Sequence, residues 1–331
     1  MNLPEKLKKF VPEIEYRRKL IEKGKYQSAG VLAFTTLVLA ALIYFSDFTA
    51  VKNIVSSANY SWLVLAAFSA NIPLLIYSFT WKKILKASGL EIGYFRTFQL
   101  VLSNVFVNNI TPFGNIGGEA AITYILSKIT GESSGRIFSM VLVASLINFL
   151  PLASLLAAGL MIAGYWRSVS LIFLGFFALF LAVKKFSWSF RDITGVQKLP
   201  SRVEDFITDF RDALEIFSGR KKLLTGLVVF SHSWLVFDVL SVILIGYAFG
   251  LDLFSPLILI VIPLARVANY VPTPGGSGPY EVALAGLLHF FIGTSVAEGV
   301  LVAVNYRVLT YYIGLVLGYV SLNLLISIKS I

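Results

Sequence analysis

Apolar residues run along this chain in long unbroken stretches rather than in the alternating patterns of half-buried elements. Continuous runs occupy residues 29–46, 61–81, 137–164, 168–183, 223–250 and 296–328. Crossing a hydrocarbon core of roughly 30 Å takes about 20 helical residues, so these runs predict six membrane-spanning helices. Two further apolar regions, 95–127 and 256–292, are each split midway by Pro, Gly and a small polar residue. Each half holds about 14 to 17 residues, or roughly 21 to 26 Å at 1.5 Å per residue. Halves that short predict re-entrant hairpins, which enter and leave the bilayer on one side; two full crossings would leave the flanks on the same sides.

The two interruptions repeat one motif. Thr111-Pro-Phe-Gly-Asn-Ile-Gly-Gly-Glu-Ala-Ala121 returns 162 residues later as Thr273-Pro-Gly-Gly-Ser-Gly-Pro-Tyr-Glu-Val-Ala283. The same offset carries the run at 61–81 onto 223–243 and the run at 137–164 onto 299–326. Whole units therefore recur: span, span, hairpin, span. Duplicated units with discontinuous helices are the plan on which many transporters place a substrate near the membrane midplane.

Composition agrees, because 57% of residues are apolar and 14% charged, a balance foreign to soluble domains. The placement of positive charge then orients the chain, since cytoplasmic loops near spans are enriched in Lys and Arg. With the N-terminus inside, 24 of the 28 basic residues fall on the cytoplasmic side, and only Lys52 and Arg167 fall outside. Arg266 and Arg307 remain within membrane-embedded sequence. On this layout the first hairpin opens from the cytoplasm and the second from the exterior, which makes the repeat an inverted one. A net charge of +10 is thus explained by topology and not by nucleic acid.

The fold expected is an all-α polytopic membrane protein, with six full spans, two re-entrant hairpins and both termini cytoplasmic. Residues 1–27 form an interfacial amphipathic helix, with Leu7, Phe10, Val11, Ile14 and Ile21 at helical spacing among basic residues. Residues 28–164 form the first membrane repeat, with its hairpin at 95–128. Residues 165–331 form the second, with its hairpin at 256–292 and an amphipathic cytoplasmic insertion at 184–222. Both amphipathic segments suit anionic lipid head groups.

Candidate chemistry gathers at the interruptions. A half-helix starting at mid-membrane turns unpaired N–H groups and the positive end of its dipole toward a cavity, which favours an anion such as phosphate. Gly114, Gly117, Gly118, Gly275, Gly276 and Gly278 permit tight turns and close approach of a head group. Thr111 and Thr273 open the motifs, and Asn115 and Ser277 stand where an N-cap would begin the second half-helix. Glu119 and Glu281 fall in the next turn. They either satisfy neighbouring N–H groups or act as sites whose charge changes, since intramembrane acids are costly and often functional. Arg266 and Arg307 each require a partner, either Glu281, Glu119 or a phosphate held by two parallel hydrogen bonds. Asn104, Asn108, Asn109 and Asn269 set amides beside the interruptions. Ser231, His232, Ser233 and Asp238 contain the letters of a nucleophilic triad, but His232 and Asp238 lie six residues apart on one helix and face different ways. With two histidines and no cysteine, neither a metal nor another cofactor is expected.

Three stretches, 109–121, 272–283 and Asn305-Tyr-Arg-Val-Leu-Thr-Tyr-Tyr-Ile-Gly-Leu315, resemble the transmembrane flippase-like domain of lysylphosphatidylglycerol synthetases and its stand-alone bacterial and archaeal relatives. The likeness covers most of residues 28–328. It implies movement of lipids, or lipid-linked polar groups, between leaflets. The chain ends at Ile331 without the soluble aminoacyl-transfer domain of the full synthetases, so lipid synthesis is not implied. Ser277 and Pro279 replace residues common in relatives, which leaves the substrate open. The expected function is a transporter of an anionic lipid or polyprenyl-phosphate-linked lipid; the alternatives are an intramembrane enzyme acting on lipid phosphates and a transporter of small soluble anions.

Overall fold

A computed structural model describes residues 29–111, 116–167, 169–170, 175, 208–213 and 219–327. The expected interfacial helix at 1–27, most of the insertion at 184–222, nearly all of the span at 168–183, and Gly114 and Asn115 lie outside the described residues. Within the described residues the protein is all helical, with no strand.

In chain order the helices are α1 (Ala29–Phe45), α2 (Phe48–Ser56), α3 (Tyr60–Ala87), α4 (Tyr94–Ile110), α5 (Ile116–Thr130), α6 (Ser134–Ile162), α7 (Lys221–Ala248), α8 (Ile258–Val267), α9 (Pro279–Leu287), α10 (Val296–Arg307) and α11 (Ile313–Ser327). Four continuous helical segments are long and apolar enough to cross a membrane: α3, α6, α7, and α10 with α11. The pair α1 and α2 makes a fifth candidate, bent by 101°. Polar residues punctuate these apolar stretches. The Asn59 carboxamide accepts from the Ser61 N–H to start α3, Ser133 caps α6, and Ser295 and Glu298 form a reciprocal capping box on α10. Pro73 in α3 and Pro151 in α6 lie inside their helices, as membrane helices tolerate when neighbours satisfy the freed carbonyls.

The repeat offset survives in the helix boundaries. Shifted by 162, α3 falls at 222–249 against Lys221–Ala248, and α6 falls at 296–324 against Val296–Leu325. Likewise α4 and α5 fall at 256–272 and 278–292, where α8 with its 3-10 extension ends at Tyr270 and α9 with its π-helical extension ends at Ile292. Packing follows the same exchange. Helix α3 lies along α7, tied by the Ser69 hydroxyl donating to the Phe237 carbonyl at 2.8 Å. Helix α8 packs on α6 and α11 on α4, each through a small residue. A Cβ on Gly159 would lie 2.7 Å from the Ile260 side chain, and one on Gly318 2.6 Å from Phe106. Such contacts let helices approach closely where lipid removes the hydrophobic drive.

Two large apolar cores result, with a small third around Phe106, Tyr311 and Leu315. One joins α7 to α10 around Val242, Val261, Leu284 and Val302; the other joins α3 to α6 around Ile84, Val101, Ile122 and Val141. Ala213, in the short described part of the insertion, packs into the second core. The space between the cores is where the polar residues collect.

Candidate functional site

The second motif builds a tight tip. Thr273 is extended, Pro274–Gly276 form one 3-10 turn, and α9 begins at Pro279. Gly275 has φ +57° and Gly276 +70°, values that side-chain-bearing residues rarely adopt. Space enforces glycine as well: a Cβ on Gly275 would sit 2.5 Å from the Tyr311 ring and 3.0 Å from the Asn109 carboxamide. Asn109 is near the end of α4, and the Tyr311 hydroxyl donates to its carbonyl at 3.0 Å. The second interruption is thereby seated against the end of α4, two residues before the first motif.

In the first hairpin, amides do the joining. Asn108 donates to the Asn104 side-chain oxygen and accepts from the Gly118 N–H, both at 2.6 Å. A Cβ on Gly118 would lie 2.5 Å from the Asn104 carbonyl, so α5 can start against α4 only with glycine there. Gly117 lies against the side chain of Thr111, whose hydroxyl donates to the Val107 carbonyl. Glu119 accepts from the Ser145 hydroxyl at 2.7 Å and has no cationic partner among the described residues.

The second half instead carries two ion pairs. Arg307, the last residue of α10, donates through Nε to Glu281, which also accepts from the Gly278 N–H at 2.7 Å. Glu281 thus fills both expected roles, capping and pairing. Arg266, at the end of α8, meets Asp238 of α7 through two parallel hydrogen bonds, Nε to Oδ2 at 3.0 Å and Nη2 to Oδ1 at 2.5 Å. The Tyr306 hydroxyl accepts from Arg266 and donates to Asp238. The Tyr280 ring lies between the cations, 4.9 Å from the Arg307 guanidinium and 6.0 Å from that of Arg266, close enough for cation–π attraction. Asp238, Glu281 and Arg307 are buried and Arg266 is partly so, and each charge is compensated, as a low-dielectric interior demands. One donor is left over: Nη2 of Arg307 is buried without a hydrogen-bond partner.

A cavity of about 330 Å³ separates the two halves. Of the candidate site residues, Glu119, Arg266, Arg307 and Gly275 line it, with Asn104, Asn108, Asn109 and Asn269. Gly117, Gly118, Thr111, Thr273, Gly276, Gly278, Ser277 and Glu281 shape the tips or hold the lining residues without lining it.

Three expectations change. Arg266 pairs with Asp238, not with Glu281 or Glu119, because α7 brings Asp238 to the end of α8. Ser277 is not an N-cap: Gly278 holds that place, and the Ser277 hydroxyl bonds Thr35 of α1 at 3.1 Å. The N–H groups of Gly278 and Gly118 are taken by Glu281 and Asn108, so neither is free for an anion. Asn71, Asn148 and Trp234 also line the cavity; for the first two, a lone amide in an apolar span is the signal the sequence offers. His232 bonds Ser154 and the Val228 carbonyl, away from Asp238.

The Lysylphosphatidylglycerol synthase TM region family matches residues 29–318. Full-length relatives are UPF0104 membrane proteins of archaea. That of Archaeoglobus fulgidus is 26% identical over 325 residues, covering 89% of this chain and 95% of the relative. That of Pyrococcus horikoshii is 23% identical over 316 residues, covering 87% and 94%. That of Methanocaldococcus jannaschii is 24% identical over 331 residues, covering 89% and 94%.

Proposed function

We propose, from the premise that this membrane protein belongs to the lysylphosphatidylglycerol synthase TM region family, that it carries an anionic lipid or a polyprenyl-phosphate-linked lipid between leaflets. The head group sits between the two hairpins while the tails stay in the bilayer. The observation that carries this reading is the polar cavity between two apolar cores, with Arg266 and Arg307 in one wall. An unpaired guanidinium edge on Arg307 offers a phosphate a charge-assisted hydrogen bond without first breaking the pair with Glu281.

The finer architecture belongs to the same proposal. Six spans and two re-entrant hairpins form an inverted repeat with both termini cytoplasmic, and the hairpins expose the cavity alternately to the two sides. The 162-residue recurrence of helix boundaries and the one-sided distribution of Lys and Arg support it. The lipid leaves chemically unchanged, and anionic lipids also hold the cytoplasmic segments to the surface.

The test is a proteoliposome assay that follows labelled phospholipids and polyprenyl phosphates between leaflets, with wild type, Arg307→Ala, Glu119→Gln and Glu281→Gln. Wild type is expected to speed at least one of these lipids tenfold or more over empty vesicles, and Arg307→Ala to remove that gain. A soluble anion moving while no lipid does would refute the reading. Recovery of chemically altered lipid would favour an enzyme instead.

A further inference from the structure

Three carboxylates stand around the cavity, and arginine compensates two of them: Arg266 holds Asp238, and Arg307 holds Glu281. Glu119 lines the cavity itself, and among the described residues its side chain bonds only the Ser145 hydroxyl, at 2.7 Å. A carboxylate taken out of water without a cation is costly, and neutralising it removes that cost. The helices packed on α5 supply no cation. They are chiefly α4 and α6. Their basic residues Arg96 and Arg136 stand more than about two turns from Asn104 and Ser145, and Arg136 is paired with Glu132. On α5 itself, Lys128 lies in the last turn. Tyr77 of α3 and Tyr270 beyond α8 bring phenol hydroxyls to the cavity rather than charges.

An acceptor for a proton carried by Glu119 is also present. Asn148 follows Ser145 by three residues on α6, so the two share a face. Its Nδ2 donates to the Ala144 carbonyl at 2.8 Å. A backbone carbonyl only accepts, so Oδ1 is turned the other way, and that atom is buried without a partner. The unpaired donors of the cavity, Trp234 Nε1 and Arg307 Nη2, bond neither Asn148 nor Glu119. A protonated Glu119 has one hydrogen to donate, whereas a hard metal cation gathers about six oxygens, of which this face of α6 offers few. Resting on the lipid-carrier reading above, we infer that Glu119 is a proton-binding site, and that it takes up one proton with each anionic head group. A proton from the aqueous phase forms an O–H bond on the carboxylate, the new hydroxyl donates to Asn148 Oδ1, and the same bond breaks to release the proton on the opposite side. Charge supplies the coupling. An anion at Arg307 and an ionised Glu119 would repel within one cavity of about 330 Å³, so the bound proton favours the anion and, reciprocally, the bound anion favours the proton.

Two measurements test this. Infrared difference spectra of the purified protein in detergent, recorded through an acid–base titration, should show the C=O stretch of a protonated carboxyl that Glu119→Gln lacks and Asn148→Leu shifts. Gln can still accept from Ser145, and the amide bands of the same spectra certify the fold. In proteoliposomes, an imposed gradient of one pH unit should change the accumulation of a transported labelled lipid by up to about tenfold for one proton per lipid, and Glu119→Gln should lose that response. Absence of a Glu119-dependent carboxyl band at every pH overturns the inference. So does a wild-type lipid flux indifferent to the gradient, or a Glu119→Gln variant that responds to it as wild type does. Lipid driven by a sodium gradient and not by pH overturns it in favour of a metal cation. If the Glu119 band is present while no lipid moves, the proton site stands and the lipid-carrier reading falls.

Discussion

Glu119 and Glu281 hold matching places in the two halves, 162 residues apart, and their partners match as well, since Ser145 and Arg307 are also 162 apart. The first half thus gives its carboxylate a hydroxyl partner and the second gives it a guanidinium. The substitution continues around the site: Asn104 stands opposite Arg266 and Gly118 opposite Tyr280 at the same offset. The first half joins its hairpin with an Asn104–Asn108–Gly118 ladder, the second with two guanidiniums around a tyrosine ring. The helix boundaries of the two halves match while their chemistry differs, with both embedded arginines in the second.

That contrast is broken most severely by removing one member of the buried pair. Glu281→Ala strands Arg307 in the interior and should lower unfolding free energy by about 3 to 5 kcal/mol, whereas Glu119→Ala loses one hydrogen bond and should lower it by about 1 kcal/mol. Denaturation of both variants in detergent checks this, and equal losses would erase the distinction. Tyr306→Phe, which removes the hydroxyl bridging Arg266 and Asp238, should follow at about 1.5 to 3 kcal/mol.

The tips sharpen the comparison next. Gly275→Ala forces a side chain into left-handed backbone against Tyr311 and Asn109 and should destabilise by about 1 to 3 kcal/mol. In Gly117→Ala the backbone is not left-handed and the nearest atoms to the new methyl belong to the side chain of Thr111, whose hydroxyl and methyl can rotate away, so the loss should be smaller in the same denaturation experiment. Ser145→Ala should be mildest, about 0.5 to 1.5 kcal/mol, and a loss rivalling that of Glu281→Ala would mean that Glu119 depends on its partner as strongly as Glu281 does.

Much of this was legible because it is local. Apolar runs marked α1, α3, α6, α7 and the α10–α11 segment, and Pro and Gly marked the breaks between α4 and α5 and between α8 and α9. The Arg307–Glu281 pair was foreseeable because an intramembrane guanidinium needs a carboxylate and few are embedded. The Arg266–Asp238 pair was not, since it depends on how α7 and α8 meet. In the sequence Asp238 stands out only beside its helix neighbour His232. Ser277 misled because an N-cap is recognised by its place before a helix, and the helix starts one residue later than the motif alignment implied.

The central claim is that the meeting of the two hairpins forms one head-group cavity reached in turn from each side of the membrane. The chain has no cysteine, so Thr310→Cys in the cavity wall can be labelled by a membrane-impermeant thiol reagent in oriented vesicles, from inside and outside separately. The account predicts labelling from both sides, slowed at least severalfold by a short-chain anionic phospholipid in wild-type background and not in Arg307→Ala. Labelling from one side only, at a rate indifferent to lipid, would contradict it.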